Sequence, residues 1–245
     1  MKGVILAGGL GTRLQPMTRV TNKHLLPVFD RPMIYFPLQQ LVAAGLTEIL
    51  IVTGGDSAGD FLKLLGNGRE FGLKHLDYTY QEGEGGIAEA LALAEHFSDG
   101  KPLCVILGDN IFQDSLAPFI REYRERGEGA MVLLKEVEDA HRFGVVEFDG
   151  DRLVRIVEKP TAPPSNLAVT GCYFLDSQVF DIVRGLTRSE RGELEITDVN
   201  NAYVARSEME YRVLKGWWTD AGTIPSLYRA AELVAGDQGN PALNP

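Results

Sequence analysis

The sequence predicts an α/β fold: a mostly parallel central sheet with helices on both faces, plus a small β-hairpin insertion in the second half. Three observations predict it. Lys2–Ala7 (KGVILA) is an apolar run, as suits a strand buried on both faces of a parallel sheet. Strand and helix patterns then alternate to about residue 134, which implies right-handed crossovers between parallel strands. Past about residue 140, two strand-like runs flank Asp149-Gly150-Asp151, and an Asp-Gly turn between such runs signals a hairpin.

The elements follow in order. After the strand over 2–7 comes a Gly-rich loop. Pro32 opens a helix over 32–44 that Gly45 stops, because proline suits a first helical turn and glycine the end. Strands are expected over 48–53, 75–80, 103–107 and 130–134, separated by helices over 60–65, 87–97 and 116–126. The second half gives strands over 145–149, 152–157, 171–175 and 211–214, with helices over 177–184 and 198–205. Thr223 caps a last helix that runs to about Ala235. Residues 1–235 read as one domain, with the grammar changing near residue 140. The tail, 236–245, is rich in Gly, Pro and Asn and is expected to be flexible.

Composition excludes several classes. Of 245 residues, 44% are hydrophobic and 24% charged, so the chain is neither disordered nor fibrous. The net charge of −10 argues against a nucleic-acid polymer as partner. No apolar run is long enough to span a membrane, and the N-terminus reads as a first strand, not a signal peptide. Cys104 and Cys172 lie in apolar strand-like runs and read as buried thiols of a cytoplasmic protein.

Ligands of an open parallel sheet bind beyond the C-terminal ends of its strands. Three segments fall there. GGLGTRLQPMT (8–18) has glycines that let backbone N–H groups approach a phosphate, with Arg13 and then Lys23 as cations. A tight turn would explain the glycines alone, but not the cations. It is neither a Walker A loop nor a dinucleotide fingerprint, since Leu14 stands where a third glycine belongs. Asp109, in LGDNIF, and Asp220, in GWWTDAGT, are acids in strand-end loops that could hold Mg²⁺ with phosphate oxygens, although each could also cap a turn. Asp149 and Asp151 form a D-x-D, but it encloses the hairpin glycine and reads as a turn. The four histidines are scattered without ligand spacing, so zinc is not expected. Trp217 and Trp218 should face opposite ways on a strand-like segment.

Seven segments in order (GGLGTRLQPMT, NKHLLPV, LGDNIF, VVEFD, VEKPTAPPSNLAVTGCYFLD, GELEITDVNNAY and GWWTDAGT) resemble the sugar-1-phosphate nucleotidylyltransferases, and within them the glucose-1-phosphate thymidylyltransferase group. The similarity runs from Met1 to about Ala235, and implies a nucleotide-binding half over 1–140 and a sugar-phosphate-binding half over 141–235. It implies a Rossmann-like nucleotide-diphospho-sugar transferase fold. It also implies that dTTP and glucose 1-phosphate give dTDP-glucose and pyrophosphate with Mg²⁺. By resemblance, Leu6, Gly8, Gly9, Gly11, Thr12, Arg13, Gln81, Gly86 and Asp109 bind nucleotide, with Gln81 reading the pyrimidine edge. Gly144, Glu158, Lys159, Val169, Tyr173 and Trp218 take the sugar phosphate. Arg13, Lys23 and Lys159 are the catalytic cations, and Asp109 and Asp220 hold the metal.

The sequence departs from the family twice. Residues 81–90 read QEGEGGIAEA, with Glu82 and Glu84 where the family carries prolines, so this loop is expected to be less rigid. The chain also lacks the helical C-terminal extension of longer members, which bears on tetramer formation and effector binding and leaves homo-oligomer formation open. UTP or another sugar 1-phosphate is the alternative within the fold. A glycosyltransferase and a non-catalytic nucleotide-sugar sensor are the alternatives outside it.

Overall fold

The computed structural model describes residues 1–237, 239–240 and 243. Its strands are β1 (Lys2–Ala7), β2 (Pro27–Val28), β3 (Arg31–Pro32), β4 (Glu48–Gly54), β5 (His75–Gln81), β6 (Leu103–Leu107), β7 (Asn110–Phe112), β8 (Ala130–Glu136), β9 (Gly144–Asp149), β10 (Arg152–Glu158), β11 (Leu167–Leu175), β12 (Met209–Val213) and β13 (Trp218–Asp220). Its α-helices are α1 (Tyr35–Ala43), α2 (Ala58–Leu65), α3 (Ile87–Ala92), α4 (Glu95–Ser98), α5 (Ala117–Arg126), α6 (Val179–Arg184), α7 (Ile196–Ala205) and α8 (Ile224–Gly236).

The centre of the main sheet is parallel, in the order β6-β1-β4-β5. β11 lies between β6 and β8, antiparallel to both, so the second half of the chain contributes a strand to the sheet built by the first. β8 and β12 then pair in parallel at that edge, and the β9–β10 hairpin joins through Ala168 and Val145. The expected hairpin is therefore present, and Asp149 and Asp151 stand exposed around Gly150, whose φ of 60° is the left-handed turn geometry.

β1 shows why its sequence is apolar throughout. Val4 and Leu6 face a core made with α3, α6 and α7, whereas Ile5 and Ala7 face a second core made with α1, α2 and α5. Cys104 and Cys172 are buried free thiols in the second core. A third, smaller core sets α8 against β2 and the β7–β13 ribbon through Val28, Ile111, Ala221, Ala230 and Val234.

Several expectations change. Pro32 does not open α1: it lies in β3, and Met33 and Ile34 form a turn whose N–H groups donate to the Leu26 and His24 carbonyls, so the helix starts only at Tyr35. The helix expected over 87–97 is two, because Ala94 N–H takes the Leu91 carbonyl and tightens the chain between α3 and α4. β11 begins four residues earlier than expected, at Leu167. Thr223 caps α8 as expected, in a reciprocal capping box with Ser226. Within the tail expected to be flexible, Asp237 accepts from Trp217 and Gln113, and Leu243 is buried with its carbonyl on Arg31. Gln238, Pro241, Ala242, Asn244 and Pro245 lie outside the described residues. Among the described residues no helix is long and apolar enough to cross a membrane.

Candidate active site

The C-terminal ends of β1, β5 and β6 meet the first residue of β9, the middle of β11 and the end of β10 around a cleft of about 570 Å³. Fifteen of the residues singled out in the sequence line it: Leu6, Gly8, Gly9, Arg13, Lys23, Gln81, Gly86, Asp109, Gly144, Glu158, Lys159, Val169, Tyr173, Trp218 and Asp220. Gly11 and Thr12 stand outside its wall. Gly11 turns the loop at φ 62°, where a Cβ would lie 2.9 Å from Thr18 Cγ2 and 3.2 Å from Lys23 Cβ, and Thr12 is exposed at the start of a 3₁₀ turn.

The two acids are brought together by backbone pairing. β7 and β13 form an antiparallel ribbon with Asn110 opposite Asp220, and Ala221 N–H donates to the Asp109 carbonyl at 2.8 Å. Gly222 leaves space between the acids. A Cβ there would lie 3.3 Å from Asp109 Oδ2, 3.5 Å from Asp220 Oδ2 and 3.2 Å from Arg13 Nη2. Lys23 Nζ sits 2.6 Å from Asp109 Oδ2, and Asn110 Nδ2 donates to Asp109 Oδ1 at 2.9 Å. Burial would raise the Asp109 carboxyl, but the Lys23 charge and these hydrogen bonds outweigh it and hold it well below the usual range. Asp220 behaves in the opposite way. Burial and the nearby Asp109 charge push its carboxyl up to about 6, against the pull of Arg142 and Arg13.

This donor set fits a hard divalent cation of the magnesium kind. The two carboxylates are close enough for the Asp109 charge to raise the cost of ionising Asp220, and the Gly222 gap leaves room between them. Among the described residues no group of three or more His, Cys, Asp or Glu forms a closed metal cage. Two carboxylates with waters and phosphate oxygens is the coordination that Mg²⁺ prefers.

On the opposite side, Gln81 is buried at the end of β5, and its Nε2 donates to the Gly86 carbonyl and Glu89. That leaves Gln81 Oε1 against Gly8, where a Cβ would come within 2.9 Å. Gly86 adopts φ 99°, and a side chain there would run into the Leu194 carbonyl at 2.4 Å. The Glu82–Glu84 loop is less free than its sequence suggests, because Glu84 Oε1 accepts from Leu10 N–H at 3.1 Å and ties it to the Gly-rich loop.

The end of β10 supplies Glu158 and Lys159. Glu158 Oε2 accepts from Thr197 Oγ1 at 2.6 Å. Lys159 has a φ of 42°, a strained conformation for a residue with a side chain, and its N–H is held by the Phe143 carbonyl at 3.0 Å. Trp218 Nε1 donates to Asn110 Oδ1 at 2.7 Å and the ring packs 5.1 Å from Phe143, while Trp217 turns the other way to Asp237. The opposed tryptophans match the expected alternation.

Four residues in the site are absent from the sequence reading. Asn110 fixes Asp109, Trp218 and Gly171 N–H together, and its place next to Asp109 was the only signal for it. Thr197 orients Glu158 from a helix nearly forty residues away in sequence. His24 lines the cleft, buried and accordingly neutral, with its ring shifted down to about 3 by burial and the Lys23 charge. Arg142 lies on Asp220 and has no motif of its own.

The nucleotidyl transferase family model matches residues 2–236. The chain belongs to the nucleotidyl transferase family. It is 43% identical over 238 residues to the glucose-1-phosphate thymidylyltransferase of Neisseria meningitidis, covering 96% of this chain and 82% of that one. It is 44% identical to the enzyme of the same name from Xanthomonas campestris, covering 95% and 80%. Among solved structures, a Bacillus anthracis protein assigned as a glucose-1-phosphate thymidylyltransferase, in complex with a sucrose, superposes with a TM-score of 0.91. It is 50% identical, over 95% of this chain and 94% of that one. A UDP-glucose pyrophosphorylase complexed with UDP-glucose superposes at 0.83 with 26% identity, over 96% and 98%. The α/β fold with its parallel centre is therefore that of a nucleotidyl transferase.

Proposed function

We propose that this nucleotidyl transferase makes dTDP-glucose and pyrophosphate from dTTP and glucose 1-phosphate. The observation that carries the reading is the gathering of Arg13, Lys23, Lys159, Asp109 and Asp220 on one rim of the sheet, in a chain over 40% identical to named thymidylyltransferases.

The chemical difficulty is the approach of one polyanion to another. The attacking group is a phosphate oxygen of the sugar phosphate, which is largely ionised near neutral pH, so no general base is required. That agrees with His24, the histidine of the cleft wall, being neutral and fully buried. Backbone N–H groups of the Gly-rich loop cradle the triphosphate. Arg13 and Lys23 offset the charge that grows on the departing pyrophosphate. Lys159 holds the sugar phosphate in line, and Glu158, oriented by Thr197, accepts sugar hydroxyls. Gln81 Oε1 accepts from the pyrimidine N3–H. Asp109 and Asp220 would hold the Mg²⁺, which supplies charge neutralisation at the α-phosphate when bound. Catalysis is then positioning plus charge stabilisation.

The test is a matrix of dTTP, UTP, CTP, ATP and GTP against several hexose 1-phosphates, scored by pyrophosphate release. The dTTP and glucose 1-phosphate pair should give the highest kcat/KM. The UTP arm weighs the alternative, since thymine and uracil differ by one methyl, worth only about 1–3 kcal/mol. Comparable turnover of ATP and dTTP would remove the role given to Gln81. Absence of pyrophosphate release from every pair would leave a nucleotide-sugar sensor.

A further inference from the structure

Each of the two acids on the metal side already carries a cation from the protein. Lys23 lies on Asp109, and Arg142 Nη2 lies 3.3 Å from both Oδ1 and Oδ2 of Asp220. The Arg142 side chain is one-third exposed in the cleft wall. It has a second anchor, Asp139 Oδ2, 2.6 Å from Nη1, and its Cζ stands 5.0 Å over the Phe143 ring. The next residue connects it to the sugar-phosphate side, because the Phe143 carbonyl accepts from Lys159 N–H and Gly144 follows in the cleft wall. Arg142 thus spans Asp139 and Asp220 in the wall of the cleft that Lys159 also lines, and its neighbour Phe143 holds the Lys159 backbone.

A guanidinium and a divalent cation repel each other at one carboxylate, and the planar fork of arginine matches phosphate as well as carboxylate. We propose that Arg142 is an exchangeable counter-ion: it neutralises Asp220 in the free protein and binds the phosphate of the sugar 1-phosphate once Asp220 ligates a divalent cation. The inference rests on the function proposed above and adds a fourth working cation to Arg13, Lys23 and Lys159. It explains how the free protein keeps two neighbouring carboxylates without a metal. It also places a cation for the second substrate where it is freed as the metal site fills.

The experiment measures Mn²⁺ binding to the nucleotide-free protein by electron paramagnetic resonance, together with steady-state KM values, for the wild type, R142M and R142K. Without its competing guanidinium, R142M should bind Mn²⁺ about fivefold more tightly, the scale of one partly exposed ion pair. Its KM for glucose 1-phosphate should rise about tenfold or more, the scale of a lost charge-assisted hydrogen bond, with the KM for dTTP within about twofold. R142K keeps the charge and loses the fork, so its Mn²⁺ affinity should stay near wild type while its KM for glucose 1-phosphate rises. Either an Mn²⁺ affinity in R142M no tighter than wild type or an unmoved KM for glucose 1-phosphate overturns the proposal. The two readings fail separately: a wild type that turns over no sugar phosphate refutes the function, while the Mn²⁺ arm still decides whether Arg142 competes at Asp220.

Discussion

Gly222→Ala adds one methyl to the gap between the acids and Arg13, and its two consequences are expected to separate. The methyl would stand 3.2 Å from Arg13 Nη2, 3.3 Å from Asp109 Oδ2 and 3.5 Å from Asp220 Oδ2. These are close contacts but not collisions, and Gly222 is not among the glycines with positive φ, so alanine fits its backbone. Crowding costs about 1–3 kcal/mol, and the loss of glycine freedom in the unfolded chain returns about 0.4–1 kcal/mol. The net is a fall in Tm of only a few degrees, at about 2–4 °C per kcal/mol for a chain of this size. On the proposed mechanism, the same methyl fills the space in which cation, carboxylates and phosphate oxygens meet. The expected loss in kcat is about 10²–10³, the scale of removing one preorganised charge-stabilising group. Pyrophosphate release and calorimetry on the same preparation measure both. A variant with kcat within about threefold of wild type would refute the idea that the chemistry occupies this gap.

Other perturbations address separate parts of the site. Asp220 has its carboxyl raised to about 6, so Mn²⁺ affinity of the free protein should be flat above about pH 7 and fall as the pH drops through 6. Asp220→Asn should remove that dependence, and an acid limb that survives in the variant would assign it elsewhere. The sign for stability is the reverse: the raised value favours the folded state fully below the ordinary carboxylate range, and this contribution is lost as pH rises through 6. Arg13→Ala should lower kcat by about 10²–10³, and a near-normal kcat would take Arg13 out of the mechanism. Gln81→Ala should raise the KM for dTTP by about tenfold while the KM for glucose 1-phosphate stays put; equal rises in both would mean a loosened cleft instead of a lost base contact.

What could be read in the sequence follows from how local its signal is. The strands over 2–7 and 103–107 appear with those bounds, because a strand buried on both faces is written as an uninterrupted apolar run. The hairpin around Gly150 and the Thr223 cap were equally legible, since each is set by two to four neighbouring residues. The β7–β13 ribbon was not, because two three-residue strands over a hundred residues apart carry no periodicity. That ribbon is what makes neighbours of Asp109 and Asp220, so the sequence could name both acids but not show how they meet. The insertion of β11 between β6 and β8 was hidden for the same reason. Arg142, Asn110 and Thr197 act on named residues through contacts 78, 108 and 39 positions away, which no local motif records.

On the proposed mechanism the reaction is a direct displacement between two anions held on one rim, with no covalent link to the protein. The stereochemical course tests this most directly. With dTTP carrying a single chiral α-thiophosphate, one in-line step predicts dTDP-glucose thiophosphate with inverted configuration at phosphorus. Retention would require two displacements, and hence a nucleotidyl-protein intermediate that this arrangement of cations and carboxylates does not provide.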